Sequence, residues 1–133
     1  YFRILGFHVV EIKGKIATKE DCPILVMAPH STFLDGFAVL WSNAPYIVSR
    51  QENRKIPFVV KALEFAQSLF VNRKDPESRQ KTVKEIVTRA QSETDWPQLL
   101  IFPEGSTSNG KALMPFKSGA FVPGKPVQPV LIR

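Results

Sequence analysis

The stretch Ile24-Leu25-Val26-Met27-Ala28-Pro29-His30-Ser31-Thr32-Phe33-Leu34-Asp35 decides the reading of the fold. Its first five residues form an uninterrupted apolar run after Pro23, the pattern of a strand buried on both faces. The period then changes. Ser31 or Thr32 stands where a helix wants its N-cap, and Phe33, Leu34, Phe37, Ala38, Leu40 and Trp41 follow as the apolar residues of that helix. A buried strand running straight into a helix is half of a βαβ unit.

The same alternation continues to the end of the chain. Pro45 closes the first helix, and Tyr46-Ile47-Val48 reads as a second buried strand. Pro57 opens a helix whose apolar residues are Val59, Val60, Leu63, Phe65, Ala66 and Leu69, with Lys61, Glu64 and Gln67 polar. Phe70-Val71 is a brief strand. Asp75 as N-cap, Pro76 at the first helical position and Glu77 in the first turn start a third helix, with Val83, Ile86, Val87 and Ala90 on one narrow buried face. Gln98 to Phe102 is a further buried strand. Val127 to Ile132 is another, with Pro129 suiting it to a sheet edge. Upstream, Phe7 to Ile12 reads as a strand ending at Gly14. The expected fold class is α/β: a single domain with a largely parallel sheet flanked by helices, and an active site at the carboxyl ends of the strands.

Composition bounds the function. The 133 residues allow one domain, and 44% hydrophobic with 23% charged residues exclude wholesale disorder. One cysteine excludes an intrachain disulfide framework, and one Cys with two His argues against a Cys/His zinc site. Cys22 reads as a buried structural thiol. No uncharged apolar run approaches the roughly 18 residues a membrane span needs. No secretory signal pattern is present. The first residue is Tyr1 rather than Met, so the chain is expected to be a segment of a longer protein. The stretch from Arg50 to Arg89 carries +5 of the total +6 charge. It is either a solvated helical surface or an attraction for something anionic: phosphate-bearing substrates, an anionic membrane face or nucleic acid.

Three loops at carboxyl ends of strands carry chemistry-bearing residues. In the first, His30 follows the strand and Asp35 lies five residues on. On a regular helix such positions are about 140° apart and share no face. They meet only if His30 sits outside the helix and folds back over its first turn. Asp35 would then fix the imidazole tautomer and leave the other nitrogen as a general base; the alternative is a histidine that packs and caps. In the second loop, the guanidinium of Arg73 would hold phosphate bidentately, or else pair with Asp75 or Glu77. In the third, Phe102-Pro103-Glu104-Gly105-Ser106-Thr107, Gly105 would allow close approach of a ligand, and neighbouring N–H groups would form an oxyanion hole. Glu104 would position a substrate hydroxyl or orient the turn. Lys117, between Phe116 and Phe121, would snorkel to solvent or contact phosphate.

Taken in order, these blocks resemble the glycerophospholipid acyltransferase superfamily. His30-Ser31-Thr32-Phe33-Leu34-Asp35 is similar to its HxxxxD motif, Phe70-Val71-Asn72-Arg73 to its second block, Phe102-Pro103-Glu104-Gly105-Ser106 to its FPEG block and Val127-Gln128-Pro129-Val130 to its final strand. Arg79 to Ile86, Trp96-Pro97-Gln98 and Phe116 to Gly124 resemble most the lysophosphatidylcholine acyltransferases within it. The resemblance implies that residues 1–133 form an acyltransferase domain of a membrane-associated protein, at the endoplasmic reticulum if eukaryotic. It implies acyl transfer from acyl-CoA to a lysophospholipid, with no cofactor beyond the acyl-CoA co-substrate, no metal and no nucleic acid. His30 and Asp35 would be catalytic. Phe70, Arg73, Glu104, Gly105, Ser106, Thr107 and Lys117 would bind substrate.

One residue departs from the pattern. Thr107 stands where many lysophosphatidic acid acyltransferases carry Arg, which favours a phosphodiester acceptor such as lysophosphatidylcholine. The alternative activities are acylation of lysophosphatidic acid or of glycerol 3-phosphate. A serine hydrolase would need a Gly-x-Ser-x-Gly elbow, and none exists. A rival of another class is an anionic-surface or nucleic-acid binding module built on the basic stretch.

Overall fold

The structure is a computed structural model, and it describes residues 11, 13–32, 34–42, 46–94 and 96–133. The expected strand at Phe7 to Ile12, Glu11 apart, lies outside these residues, as does Pro45. Among the described residues five strands form one parallel sheet: β1 (Ile24–Ala28), β2 (Tyr46–Arg50), β3 (Leu69–Val71), β4 (Leu99–Ile101) and β5 (Val127–Leu131), in the order β3-β2-β4-β1-β5. The α/β expectation holds.

Strand composition follows from burial on both faces. Ile24 and Val26 of β1 join a cluster with Tyr46, Leu69, Leu99, Ile101, Ile86 and Ala90. Leu25 and Met27 point the other way and pack with Val39 and Leu100. Alternate residues therefore feed two cores, so the strand tolerates no polar position. Each fully buried aliphatic side chain contributes about 1.5–3 kcal/mol. Pro129 lies on β5, an edge strand, where its missing N–H costs no ladder bond on the open side.

The helices are α1 (Asp35–Trp41), α2 (Pro57–Phe65) and α3 (Pro76–Gln91), with 3-10 turns at Gln51–Lys55 and Ser118–Ala120. The start of α3 matches its sequence signals: Asp75 is the N-cap and its carboxylate accepts the Glu77 N–H at 3.0 Å. Its buried line is Thr82, Ile86 and Ala90, while Val83 and Val87 are half-buried.

Two expectations are corrected. Neither Ser31 nor Thr32 caps α1; the helix begins at Asp35, with Leu34 in the N-cap position and no side-chain cap bond. The physical reason is that the Asp35 carboxylate takes the N–H groups of Ser31 and Thr32, which holds that segment as a turn. Helix α2 ends at Phe65 and buries none of its residues, and Leu69 belongs to β3. Its apolar spacing is real, but among the described residues no layer covers its outer side.

Parallel crossovers are right-handed. The connections β1-α1-β2 and β2-α2-β3 step the same way across the sheet, so α1 and α2 share one face. The step from β3 through α3 to β4 is reversed, which puts α3 on the other.

Candidate active site

Sheet register brings two of the three suspicious loops together. Val26 pairs with Ile101, so Glu104 lies three residues beyond that pair and His30 four beyond it on the neighbouring strand. Both chains leave the sheet at its carboxyl end, beside each other. The His30 N–H donates to Glu104 Oε1 at 2.9 Å, and the Ser108 N–H donates to the His30 carbonyl at 2.8 Å. The His30 ring stacks on Phe102 with centroids 4.0 Å apart. The turn that carries His30 is therefore fixed from the β4 side by a carboxylate, an amide and an aromatic ring. The Ala28–Pro29 peptide bond is cis.

His30 sits outside α1 and folds back over its first turn. Its Nδ1 lies 2.8 Å from Asp35 Oδ2. The same oxygen accepts the N–H groups of Ser31 at 2.7 Å and Thr32 at 3.0 Å. Asp35 is 4% exposed, and the His30 side chain is 22% exposed. A buried carboxylate with three donors is a fixed acceptor. With Nδ1 directed at Asp35, the ring nitrogen left for a substrate is Nε2. Among the described residues neither Ser31 Oγ nor Ser106 Oγ is bonded to His30.

Glu104 is 6% exposed and orients the histidine turn. Of its two expected roles, its bond to the His30 N–H supports the orienting one. Gly105 has φ +70°, a conformation that favours glycine. Its N–H donates to the Phe102 carbonyl at 3.1 Å, so it belongs to the turn. A Cβ there would lie 2.8 Å from Lys117 Cε. The space expected for a ligand over Gly105 is occupied by the Lys117 stem, and the Lys117 N–H donates to the Pro103 carbonyl at 2.8 Å. Ser106 is half-buried and Thr107 exposed. Among the described residues their N–H groups have no acceptor.

The second loop stands apart. Strand β3 is separated from β1 by β2 and β4, three spacings or about 14 Å. Phe70 is half-buried beneath the guanidinium of Arg54, 4.0 Å from its ring centroid. Arg73 forms no ion pair with Asp75 or Glu77. Burial pulls its guanidinium below the usual arginine range, the neighbouring Arg50 charge adds to this, and Glu52 opposes it. Sequence reading had assigned no role to Phe102, Arg50 or Arg54. Phe102 opens the Phe102-Pro103-Glu104-Gly105-Ser106 block; the two arginines were visible only as part of a charge run.

A cleft of about 410 Å³ at the opposite end of the sheet is lined by Lys19, Glu20, Ser92, Glu93 and Lys125 among others, and holds none of the site residues. Among the described residues no group of three or more His, Cys, Asp or Glu forms a metal-ligand set, and no helix is long and apolar enough to cross a membrane.

The family described as "Acyltransferase" matches residues 9–133. The chain is 52% identical over 132 residues to the lysophospholipid acyltransferase LPCAT4 of Xenopus tropicalis, covering 99% of this chain and 25% of that protein. It is 50% identical over 128 residues to the lysophosphatidylcholine acyltransferase of Drosophila melanogaster, covering 96% and 24%. It is 48% identical over 132 residues to the human lysophosphatidylcholine acyltransferase 2, covering 99% and 24%. The chain spans about a quarter of the length of these curated relatives. No solved structure matches it.

Proposed function

The chain belongs to the acyltransferase family, and from that membership we propose that it transfers an acyl group from acyl-CoA to the free hydroxyl of a lysophospholipid, with lysophosphatidylcholine the favoured acceptor. The observation that carries this reading is the His30 Nδ1 to Asp35 Oδ2 contact of 2.8 Å, which leaves Nε2 to act as base.

His30 Nε2 takes the proton of the acceptor hydroxyl. The hydroxyl oxygen attacks the thioester carbonyl carbon, and the carbonyl oxygen becomes an oxyanion. The C–S bond then breaks, CoA leaves as thiolate, and the proton held by His30 passes to the departing sulfur. Asp35 stabilises the transient imidazolium. A thiol has a pKa of about 8.5, so the leaving group needs little acid assistance. General-base catalysis supplies about 10²–10⁴-fold.

The N–H groups of Ser106 and Thr107 are the oxyanion donors, since that of Gly105 is engaged in its turn. Arg73, in the loop after β3, a strand about 14 Å from β1 across the sheet, binds a phosphate of the CoA or of the headgroup rather than the reacting atoms. Lys117 supplies a second cation, and Phe70 packs against the bound substrate. Thr107 leaves one cation fewer for a phosphomonoester, which supports a phosphodiester acceptor. The acceptor is itself amphipathic, so the protein works at a membrane surface, that of the endoplasmic reticulum in a eukaryote.

The test is a matrix of acyl-CoA donors against lysolipid acceptors on the full-length protein, read as free-CoA thiol. Turnover highest with lysophosphatidylcholine supports the proposal. Thiol release that is independent of any lysolipid would make it a thioesterase instead.

A further inference from the structure

Among the described residues α2 is an α-helix that buries none of its own side chains, and Phe58 is 90% and Phe65 is 93% exposed. Phe58, Ala62 and Phe65 stand at i, i+4 and i+7, so they form one stripe along the helix, with Lys61 beside them. Ile56, just before the helix, is also exposed. The only carboxylate in α2, Glu64, is paired with Arg54 at 3.3 Å. Lys55 and Lys61 have no counter-ion among the described residues.

We infer that this outer face of α2 rests on an anionic lipid surface, with the Phe58 and Phe65 rings among the acyl chains and Lys55 and Lys61 at the headgroups. The occupant follows from chemistry on the face itself. Exposed phenyl rings bordered by lysines are the composition of an interfacial helix. Two phenylalanines bury about 400 Å² together, half of the roughly 800 Å² per partner that a stable protein interface takes. A second copy would also bring the same positive charge against itself. A lipid surface demands neither a matched shape nor that area, and an anionic one is attracted by the lysines. The face also adjoins the substrate region, because Arg54, bonded to Glu64 of α2, lies over Phe70 of β3. This rests on the reading that the acceptor is a lipid drawn from a bilayer.

The test places a solvatochromic fluorescent amino acid in the full-length protein at Phe58, at Phe65 or, as control, at Gln80, an exposed position of α3 on the other face of the sheet. Vesicles of phosphatidylcholine with phosphatidylserine, or of phosphatidylcholine alone, carry lipids brominated on the acyl chains. The expected result is a blue shift and quenching at Phe58 and Phe65 with the anionic vesicles, weaker with the neutral ones, and neither at Gln80. Unshifted, unquenched emission at both positions overturns the inference. So does emission already blue-shifted without lipid and never quenched, which would mean that the protein's own chain covers the face. A shift that follows protein concentration and ignores lipid overturns it in favour of self-association. Acyl transfer is measured in parallel with lysolipid dispersed as monomers. Transfer without quenching removes the lipid-face assignment and leaves the enzyme; quenching without transfer does the reverse.

Discussion

Nδ1 of His30 and Oδ2 of Asp35 stand 2.8 Å apart although the residues are five positions apart in the chain. The contact exists because α1 starts at Asp35, and the carboxylate turns back to collect two backbone N–H groups as well as the imidazole. Asp35→Asn keeps the shape and removes the charge. Turnover is expected to fall by about two to four orders of magnitude, with KM for acyl-CoA changed only a few-fold. Steady-state kinetics on the folded variant check this.

Glu104 acts through His30. Its Oε1 accepts the His30 N–H across 74 residues of sequence. Glu104→Ala leaves that N–H without its acceptor, a cost of about 1–3 kcal/mol, so both the thermal midpoint and turnover should drop. Glu104→Gln keeps an acceptor at the same reach and should recover most of both. Equal losses in the two variants would show that the charge, not the hydrogen bond, matters.

Gly105 is held in the left-handed region with the Lys117 stem in the place of a side chain. Gly105→Ala should destabilise by about 1–2 kcal/mol from backbone strain, with an added steric part. Adding Lys117→Ala relieves only the steric part, so the double variant should be more stable than additivity of the two single changes predicts. A double-mutant cycle in urea measures the difference.

Thr107 is exposed, and its replacement should leave the fold intact. Thr107→Arg supplies the cation that a phosphomonoester wants. The ratio of kcat/KM for lysophosphatidic acid over that for lysophosphatidylcholine should rise at least about tenfold, in keeping with the roughly 1.5–3 kcal/mol of a charged hydrogen bond. An unchanged ratio would place the headgroup elsewhere.

Much of this arrangement was legible in the residues. Continuous apolar runs identified β1 and β4, and Asp75-Pro76-Glu77 marked the start of α3, because burial and capping act locally. The link from Glu104 to His30 was not legible. It depends on β1 and β4 being neighbours in register, which no local spacing encodes. The exposure of the outer face of α2 was not legible for a different reason. Periodicity tells which side chains share a face, but Phe58 and Phe65 show that it does not tell whether protein covers that face. The start of α1 was placed too early, because Ser31 and Thr32 are good caps and nothing nearby shows that Asp35 claims their N–H groups.

The central claim is that His30 is the base, and His30→Ala in the full-length protein tests it most directly. Acyl transfer from acyl-CoA to lysophosphatidylcholine should fall by about 10²–10⁴-fold while circular dichroism and the unfolding midpoint stay close to those of the unaltered protein. A folded His30→Ala protein that transfers acyl groups at the unaltered rate would contradict the account.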